Sequence, residues 1–345
     1  MSRMLVVSPS PHVHDKLTVP QVMEGVIIAM IPALAFAVLN FGLGAVYVTL
    51  LSVIFCVGIE YAMNRYLFNR KTTVLYDRSA IITGILLAFN VPSNLPWHII
   101  LIGAIVAIGL SKMSFGGLGN NPFNPALVAR VFLLTSFPVE MTSWPVPTPT
   151  LALDGNTGAT PLGILKEGAR VGDTVPQMMA EMPGWMDFFW GFQGGSLGEM
   201  SAFAMLLGLA YMMLRRIISW HIPISMLLTI VVLTGAFWLY DPTQYAHPLF
   251  HILTGGVMLG AVFMATDYVT SPFTYRGMII FGVGIGVITV FIRLFGSYPE
   301  GVSFAILVMN AFVPMINKYT KPRRYGSKTH YVKPKVVVEE KVVAS

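Results

Sequence analysis

Apolar runs of roughly bilayer length recur from residue 22 to residue 318 with very few charges inside them, and this repetition limits the chain to one kind of fold. A membrane-spanning helix needs roughly 17–25 predominantly apolar residues. Inside hydrocarbon every backbone amide and carbonyl must be satisfied within the chain, so such runs become helices. Only 11% of the 345 residues are charged and 55% are hydrophobic. A soluble domain carries about 25% charged residues, so this chain lacks the polar surface to cover a water-soluble globule. Ten segments are predicted near 22–39, 44–61, 79–91, 97–112, 125–137, 201–217, 221–240, 249–265, 277–294 and 302–318. The third and fifth are short and are expected to be tilted, extended into loops or partly re-entrant. Met1 to Val19 is polar, with Pro9, Pro11, Asp15 and Lys16, and shows no cleavable signal, so the first apolar segment is expected to remain in the mature protein.

Basic residues in the short loops set the expected orientation. Arg65, Arg70, Lys71 and Arg78 follow the second segment, Lys112 the fourth, Arg215 and Arg216 the sixth, and Arg276 the eighth. The alternate loops are poor in Lys and Arg. Both termini are therefore expected in the cytoplasm. The formal net charge of +6 resides in Lys318 to Ser345, where eight Lys or Arg accompany two Glu. That tail is expected to be disordered and to touch anionic lipid headgroups; no nucleic-acid partner is expected.

The expected organisation is a cytoplasmic segment 1–21, a first membrane half 22–137, an extracytoplasmic loop 138–200, a second membrane half 201–318 and a basic cytoplasmic tail 319–345. Five segments per half would give the halves inverted topology, the arrangement of inverted repeats. Two faint echoes fit it: Thr83-Gly84 with Thr254-Gly255, and Asn124-Pro125-Ala126 with Asn310-Ala311. The long loop holds seven acidic residues against Lys166 and Arg170. Pro145, Pro147 and Pro149 make its entry extended. Trp185, Phe188, Phe189, Trp190 and Phe192 near its end read as headgroup-level anchors.

Within that loop, Asp154-Gly155-Asn156-Thr157-Gly158-Ala159-Thr160 matches Asp-x-x-Ser/Thr-Gly-Ala-Thr, the pattern at which some bacterial membrane proteins carry FMN esterified through its phosphate to the last hydroxyl. Gly158 and Ala159 are small enough for a modifying enzyme to approach the backbone. Asp154 and Thr157 offer short polar groups for turn formation, and Pro161 keeps Thr160 out of a preceding helix. The plain alternative is an external turn. Cys56 is the sole cysteine, so no iron–sulfur cluster has ligands here, and any electrons must pass through an organic cofactor.

Charged residues at membrane depth invite function. Glu24, Glu60, Asp77, Asp267 and Arg293 lie near predicted segment ends, where snorkelling or capping accounts for most of them. Arg130 lies in the middle of the fifth segment, where a carboxylate, helix-end carbonyls or a flavin could each meet it. Gly116 to Pro125 is too rich in Gly, Asn and Pro for regular helix; it is either a simple connection or a lining for a flavin ring, which places Asn120 and Asn124 among the candidate cofactor contacts.

The chain resembles the D subunit of bacterial Rnf complexes and, more broadly, the B subunit of the sodium-pumping NADH:quinone reductase. The resemblance covers most of 8–318. It is carried by Ser8-Pro9-Ser10-Pro11-His12, Asp77-Arg78-Ser79-Ala80, the run Gly116 to Ala126, the flavin motif, Gly194-Gly195-Ser196-Leu197-Gly198-Glu199, Met264-Ala265-Thr266-Asp267 and Ser303-Phe304-Ala305-Ile306-Leu307. It implies a component of a ferredoxin:NAD oxidoreductase that couples electron transfer to Na+ or H+ translocation. It further implies covalent FMN on Thr160, a non-covalent riboflavin among the helices, Rnf-type membrane and iron–sulfur or flavin subunits as partners, and a flavin transferase for maturation. The alternatives are a component of the quinone reductase, a non-redox secondary transporter built from inverted repeats, and a passive scaffold for partner subunits.

Overall fold

The computed structural model describes residues 18–69, 77–146 and 157–322. The motif Ser8 to His12, Arg70, Lys71, Pro147, Pro149, Asp154 and the tail from 323 onward lie outside the described residues.

All ten predicted segments fall on helical structure. In the first half, α1 (Val19–Phe41) begins where the Gln21 side chain accepts from the Thr18 amide at 3.0 Å. It stops at Gly42, whose φ of 59° suits glycine and whose amide bonds the Val38 carbonyl. α2 (Leu43–Ala62) continues through a wider turn to Leu67, α3 (Ser79–Phe89) is short, α4 (Trp97–Ala104) runs on to Leu110, and α5 (Pro125–Ser136) is short again. The loop contributes α6 (Pro138–Thr142), α7 (Pro161–Val171), α8 (Val175–Glu181) and α9 (Trp185–Trp190). The second half comprises α10 (Ala202–Leu214), α11 (His221–Tyr240), α12 (Pro248–Leu253), α13 (Val257–Leu259, extended to Met264), α14 (Tyr275–Phe295) and α15 (Val302–Tyr319). Among the described residues, six helices are long and apolar enough to span a bilayer. Helices such as α11 are apolar on both faces, burying Met226 and Ile230 while exposing Leu228 and Val232, as a surface facing lipid requires.

At 11 and 12 residues, α3 and α5 reach about 17–18 Å, well short of a roughly 30 Å hydrocarbon core. Their shortness agrees with expectation. Two departures do not: the sixth segment ends at Leu214 after 13 helical residues, and the eighth is broken at Thr254-Gly255-Gly256 between α12 and α13. Gly255 has φ 68°, which an ordinary residue adopts only with strain.

The two halves pair their helices alike. α2 packs on α3 and α4, as α11 packs on α12 and α14; α4 packs on α5, as α14 does on α15; and α3 meets both α1 and α5, as α13 with its extension meets α10 and α15. Across the middle, α1 lies on α10 and α5 on α15, each segment meeting its own equivalent. The contact of α1 with α2 is not repeated to the same extent by α10 and α11. Of the two sequence echoes, Asn124 and Asn310 meet: with its amide turned to suit its neighbours, Asn310 accepts from the Asn124 amide at 3.2 Å. The Thr-Gly pairs differ, since Thr83-Gly84 lies inside α3 and Thr254-Gly255 in the break.

Small residues allow the closest approaches, as packing between membrane helices favours. Gly282 and Gly286 of α14, one turn apart, lie where a Cβ would come 2.9 Å from the Ile222 carbonyl and 3.0 Å from the Met226 carbonyl of α11. The aromatic end of the loop is more than an anchor. Phe188 is fully buried beside Phe250 (ring centres 5.8 Å apart), in a small core with Leu162, Met178 and Ala246 that seats the loop on the second half; Trp185, Trp190 and Phe192 stay exposed.

Gly286→Val is expected to lower stability by about 1–3 kcal/mol through overpacking against α11. Gly58→Ala, where an added Cβ meets nothing within 4 Å, is expected to change it by less than about 1 kcal/mol. Thermal unfolding of the two variants in detergent checks the difference.

Candidate functional site

The described part of the motif starts with a clip. β1 (Trp144–Pro145) pairs antiparallel with β2 (Thr157–Gly158), tying the entry of the loop to the segment before Thr160. Gly158 is small for a reason of packing: a Cβ there would lie 2.9 Å from Cγ2 of Val146. Thr157 and Ala159 are exposed. Thr160 is extended, with φ −70° and ψ 154°, and caps α7, its Oγ1 accepting from the Gly163 amide at 3.1 Å. Pro161 at the first helical position supplies a fixed φ where no amide donor is needed. The expectation that Pro161 holds Thr160 outside a preceding helix agrees with this geometry; the helix that follows was not anticipated.

Thr160 lines a small cavity of about 60 Å³ with Arg130, Thr142, Trp144, Tyr298 and Glu300. Arg130, from the middle of α5, is buried. It donates to Asn90 Oδ1 at 2.8 Å, to Glu199 Oε1 at 3.1 Å and to Glu300 Oε2. Of the groups Arg130 could have met, two carboxylates are the ones present. Neither Glu300 nor Asn90 was singled out from sequence, and Glu199 entered only as the last residue of a motif. The available signal was an acidic residue beside a glycine-rich turn at the edge of an apolar segment. The broken eighth segment wraps this cluster. A Cβ on Gly255 would lie 2.7 Å from Arg293 Nη2 and 3.1 Å from Glu300 Oε1, and one on Gly256 would lie 3.1 Å from Glu199 Oε1.

Three expectations for segment-end charges need correction. Arg293 does not snorkel: it is buried and donates to the carbonyls of His251 (2.6 Å) and Thr254 (3.0 Å), which the break leaves without helical partners. Glu60 and Lys112 are buried together at 2.5 Å, and Lys112 also donates to Ser79 Oγ at 2.7 Å. Lys112, read from sequence as a loop lysine, therefore pairs inward. Glu24 and Arg78 do pair near the surface at 2.5 Å. Asp77 accepts from the Ser79 amide at 3.1 Å at the start of α3, the local capping expected of it, whereas Asp267 accepts from Thr270 Oγ1 at 3.0 Å within a turn and caps no helix start.

A second cavity, of about 90 Å³, lies among the helices at the other end of α5. Its polar wall includes Ser79, Lys112, Asn121, Asn124 and Asp267, and its apolar wall includes Met23, Leu86 and Phe263. Asn124 lines it, but its side chain is engaged: Oδ1 accepts from the Ala126 and Leu127 amides and Nδ2 donates to the Met264 carbonyl at 3.3 Å. Asn121 is buried in the same wall, whereas Asn120 is exposed and does not line it. The structure therefore brings together Thr160 with Arg130 at one cavity and Asn124 with Asn121 at the other.

These features define a multi-pass helical membrane protein with, among the described residues, three apolar helices too short to span a bilayer, a broken eighth segment and a folded loop seated over a buried ion cluster. The chain belongs to the NQR2, RnfD, RnfE family, whose model matches residues 6–326. It is 45% identical over 325 residues to the D subunit of the Na(+)-translocating ferredoxin:NAD(+) oxidoreductase complex of Acetobacterium woodii, covering 93% of this chain and 95% of that one. It is 40% identical over 324 residues to the D subunit of the proton-translocating ferredoxin:NAD(+) oxidoreductase complex of Clostridium ljungdahlii, covering 93% and 96%. It is 36% identical over 356 residues to the D subunit of the ion-translocating oxidoreductase complex of Vibrio vulnificus, covering 93% and 99%.

Removing one partner of a buried ion cluster strands the others. Arg130→Met is expected to destabilise the protein by about 3–5 kcal/mol. Arg130→Lys is expected to restore only part of that, because one ammonium cannot reproduce the planar fork that spans Asn90 and two carboxyls. Thermal unfolding of both variants beside the parent measures this.

Proposed function

We propose that this chain is the flavin-carrying D subunit of an Rnf-type ferredoxin:NAD oxidoreductase complex that translocates Na+ or H+, with FMN esterified to Thr160. The observation that carries the reading is Thr160 itself, the last residue of the flavin motif, which caps α7 at the rim of a cavity holding a buried arginine and two aromatic rings. The names of the relatives support the complex, and they include both sodium and proton translocation.

The residues present suit such a group. A phosphate on Thr160 Oγ1 would lie at the amino-terminal end of α7, where free backbone amides and the helix dipole favour an anion. Arg130 offers a positive charge within the same cavity, and Trp144 and Tyr298 offer ring faces. The clip of β1 and β2 and the bond from Lys166 Nζ to the Tyr298 carbonyl (2.7 Å) hold the rim in place. When bound, the flavin would supply reversible electron uptake. The second cavity, with Lys112, Asn121 and Asp267 on its polar wall, is the place we assign to a non-covalent riboflavin. Both termini would face the cytoplasm and the Thr160 loop the opposite side of the bacterial inner membrane. Other Rnf-type subunits would supply the ferredoxin and NAD sites, and a flavin transferase would load Thr160.

Mass spectrometry of the Thr160 peptide from native membranes is expected to show an increase of FMN less one water, absent in Thr160→Ala. That variant is also expected to lose the cap, weakening α7 by about 1 kcal/mol, and to lose ferredoxin:NAD turnover in the assembled complex. An unmodified Thr160 in cells with active transferase would remove the flavin reading and favour a transporter or scaffold.

A further inference from the structure

Two members of the ion cluster, Arg130 and Glu300, stand in the wall of the Thr160 cavity beside the apolar Leu134 and Met141. Glu300 lies on that wall with 18% of its side chain accessible, and Glu199 lies behind it with 3%. Both carboxyls reach the same nitrogen of Arg130, Nη2. Converging on one nitrogen, the two largely buried carboxyls crowd each other. Two ionised carboxylates so placed repel, which favours a proton on one of them. The charged and titratable groups facing the pair are Arg130 from α5 and Arg293 from α14, with His251 of α12 beyond Arg293. Asn90 and Ser196 add neutral polar atoms.

We propose that Glu199 and Glu300 share a single proton and, with Arg130 and Arg293, form a proton-responsive positive seat for an anionic group tethered at Thr160. The proposal rests on the reading that Thr160 carries FMN, and it deepens that reading by assigning the control of charge at the site to residues of this chain. With the proton in place, two guanidinium groups face one carboxylate, and the four residues carry a net charge of +1. When an O–H bond of the pair breaks, the proton passes by way of Glu300 and the cavity to solvent water, and the four become neutral. Burial and the neighbouring Glu300 push the Glu199 carboxyl up to about 8. Burial acts the same way on Glu300, but Arg130, Glu199 and Arg293 together outweigh it and hold that carboxyl below the usual range. Opposed shifts of this kind belong to a pair that titrates as a unit. Negative charge in the cavity is therefore favoured while the pair keeps its proton and loses that support as the pH rises through its titration.

The test uses the whole complex, purified from its own membrane, and has two readings. Infrared difference spectra on raising the pH through about 8 are expected to show loss of a protonated-carboxyl band that is missing from Glu199→Gln. Redox titration of the flavin identified by its absence in Thr160→Ala is expected to show a potential that falls over the same pH interval. In Glu199→Gln, whose cluster stays at +1, that part of the pH dependence is expected to vanish. Glu300→Gln, which also fixes the charge, serves if Glu199→Gln does not assemble. Equal pH dependence in the loaded parent and variant overturns the seat, and a parent without the infrared band overturns the shared proton. A Thr160 found unmodified overturns the flavin reading and the seat with it, while the infrared arm still decides the proton.

Discussion

A guanidinium buried in the middle of a half-length helix has no water to solvate it, and the architecture around Arg130 supplies what water would have given. Its donors are taken by Asn90 at the end of α3, by Glu199 before α10 and by Glu300 before α15. These three stretches come from both halves of the chain. Burying a charge is tolerable only when it is paired and hydrogen-bonded, so Arg130 holds together segments 40, 69 and 170 residues away in sequence. The break at Thr254-Gly255-Gly256 belongs to the same solution. Its two glycines leave room for carboxyl and guanidinium groups, and Arg293 satisfies the carbonyls that the break exposes.

The repeated helix pairing explains why so irregular a set of segments can still pack closely. Each half uses its second segment as a spine for the third and fourth, and the halves meet through equivalent segments. Within membranes, association depends on close packing rather than on expulsion of water. Gly84 against the Val53 backbone in one half, and Gly282 and Gly286 against α11 in the other, provide that approach. The loop is then held in part by residues of the second half. Phe188 and Leu162 fix it to α12 through Phe250 and its neighbours, and Lys166 fixes it to the turn that carries Glu300.

Much of this was legible in the chain, and the parts that were not share one cause. Hydropathy located ten segments and the shortness of the third and fifth, because length and polarity are local properties. The extended Thr160 before Pro161 was legible for the same reason, through the steric rule for a residue preceding proline. The break in the eighth segment was hidden, because glycine pairs are ordinary inside membrane helices and only the packing of Arg293 and Glu199 shows why these two unwind. Lys112 stands at the edge of an apolar run, and nothing local says that it turns inward to Glu60, 52 residues earlier. Arg130 was legible as a charge needing a partner, but not which one, since Glu300 comes from a turn in the opposite half.

On the proposed reading, with a flavin at each cavity, the half-length of α5 has a consequence for electron movement. Pro125 lies on the wall of the cavity among the helices and Leu134 on the wall of the Thr160 cavity. Nine residues of helix separate them, a rise of about 14 Å at 1.5 Å per residue. A full-length span would hold two such cavities about 30 Å apart. By replacing a span with a half-helix, the fold roughly halves the gap that an electron would have to tunnel between groups seated at its two ends. Because tunnelling falls off exponentially with distance, the length of this one helix would weigh on the transfer rate more than any single side chain along it.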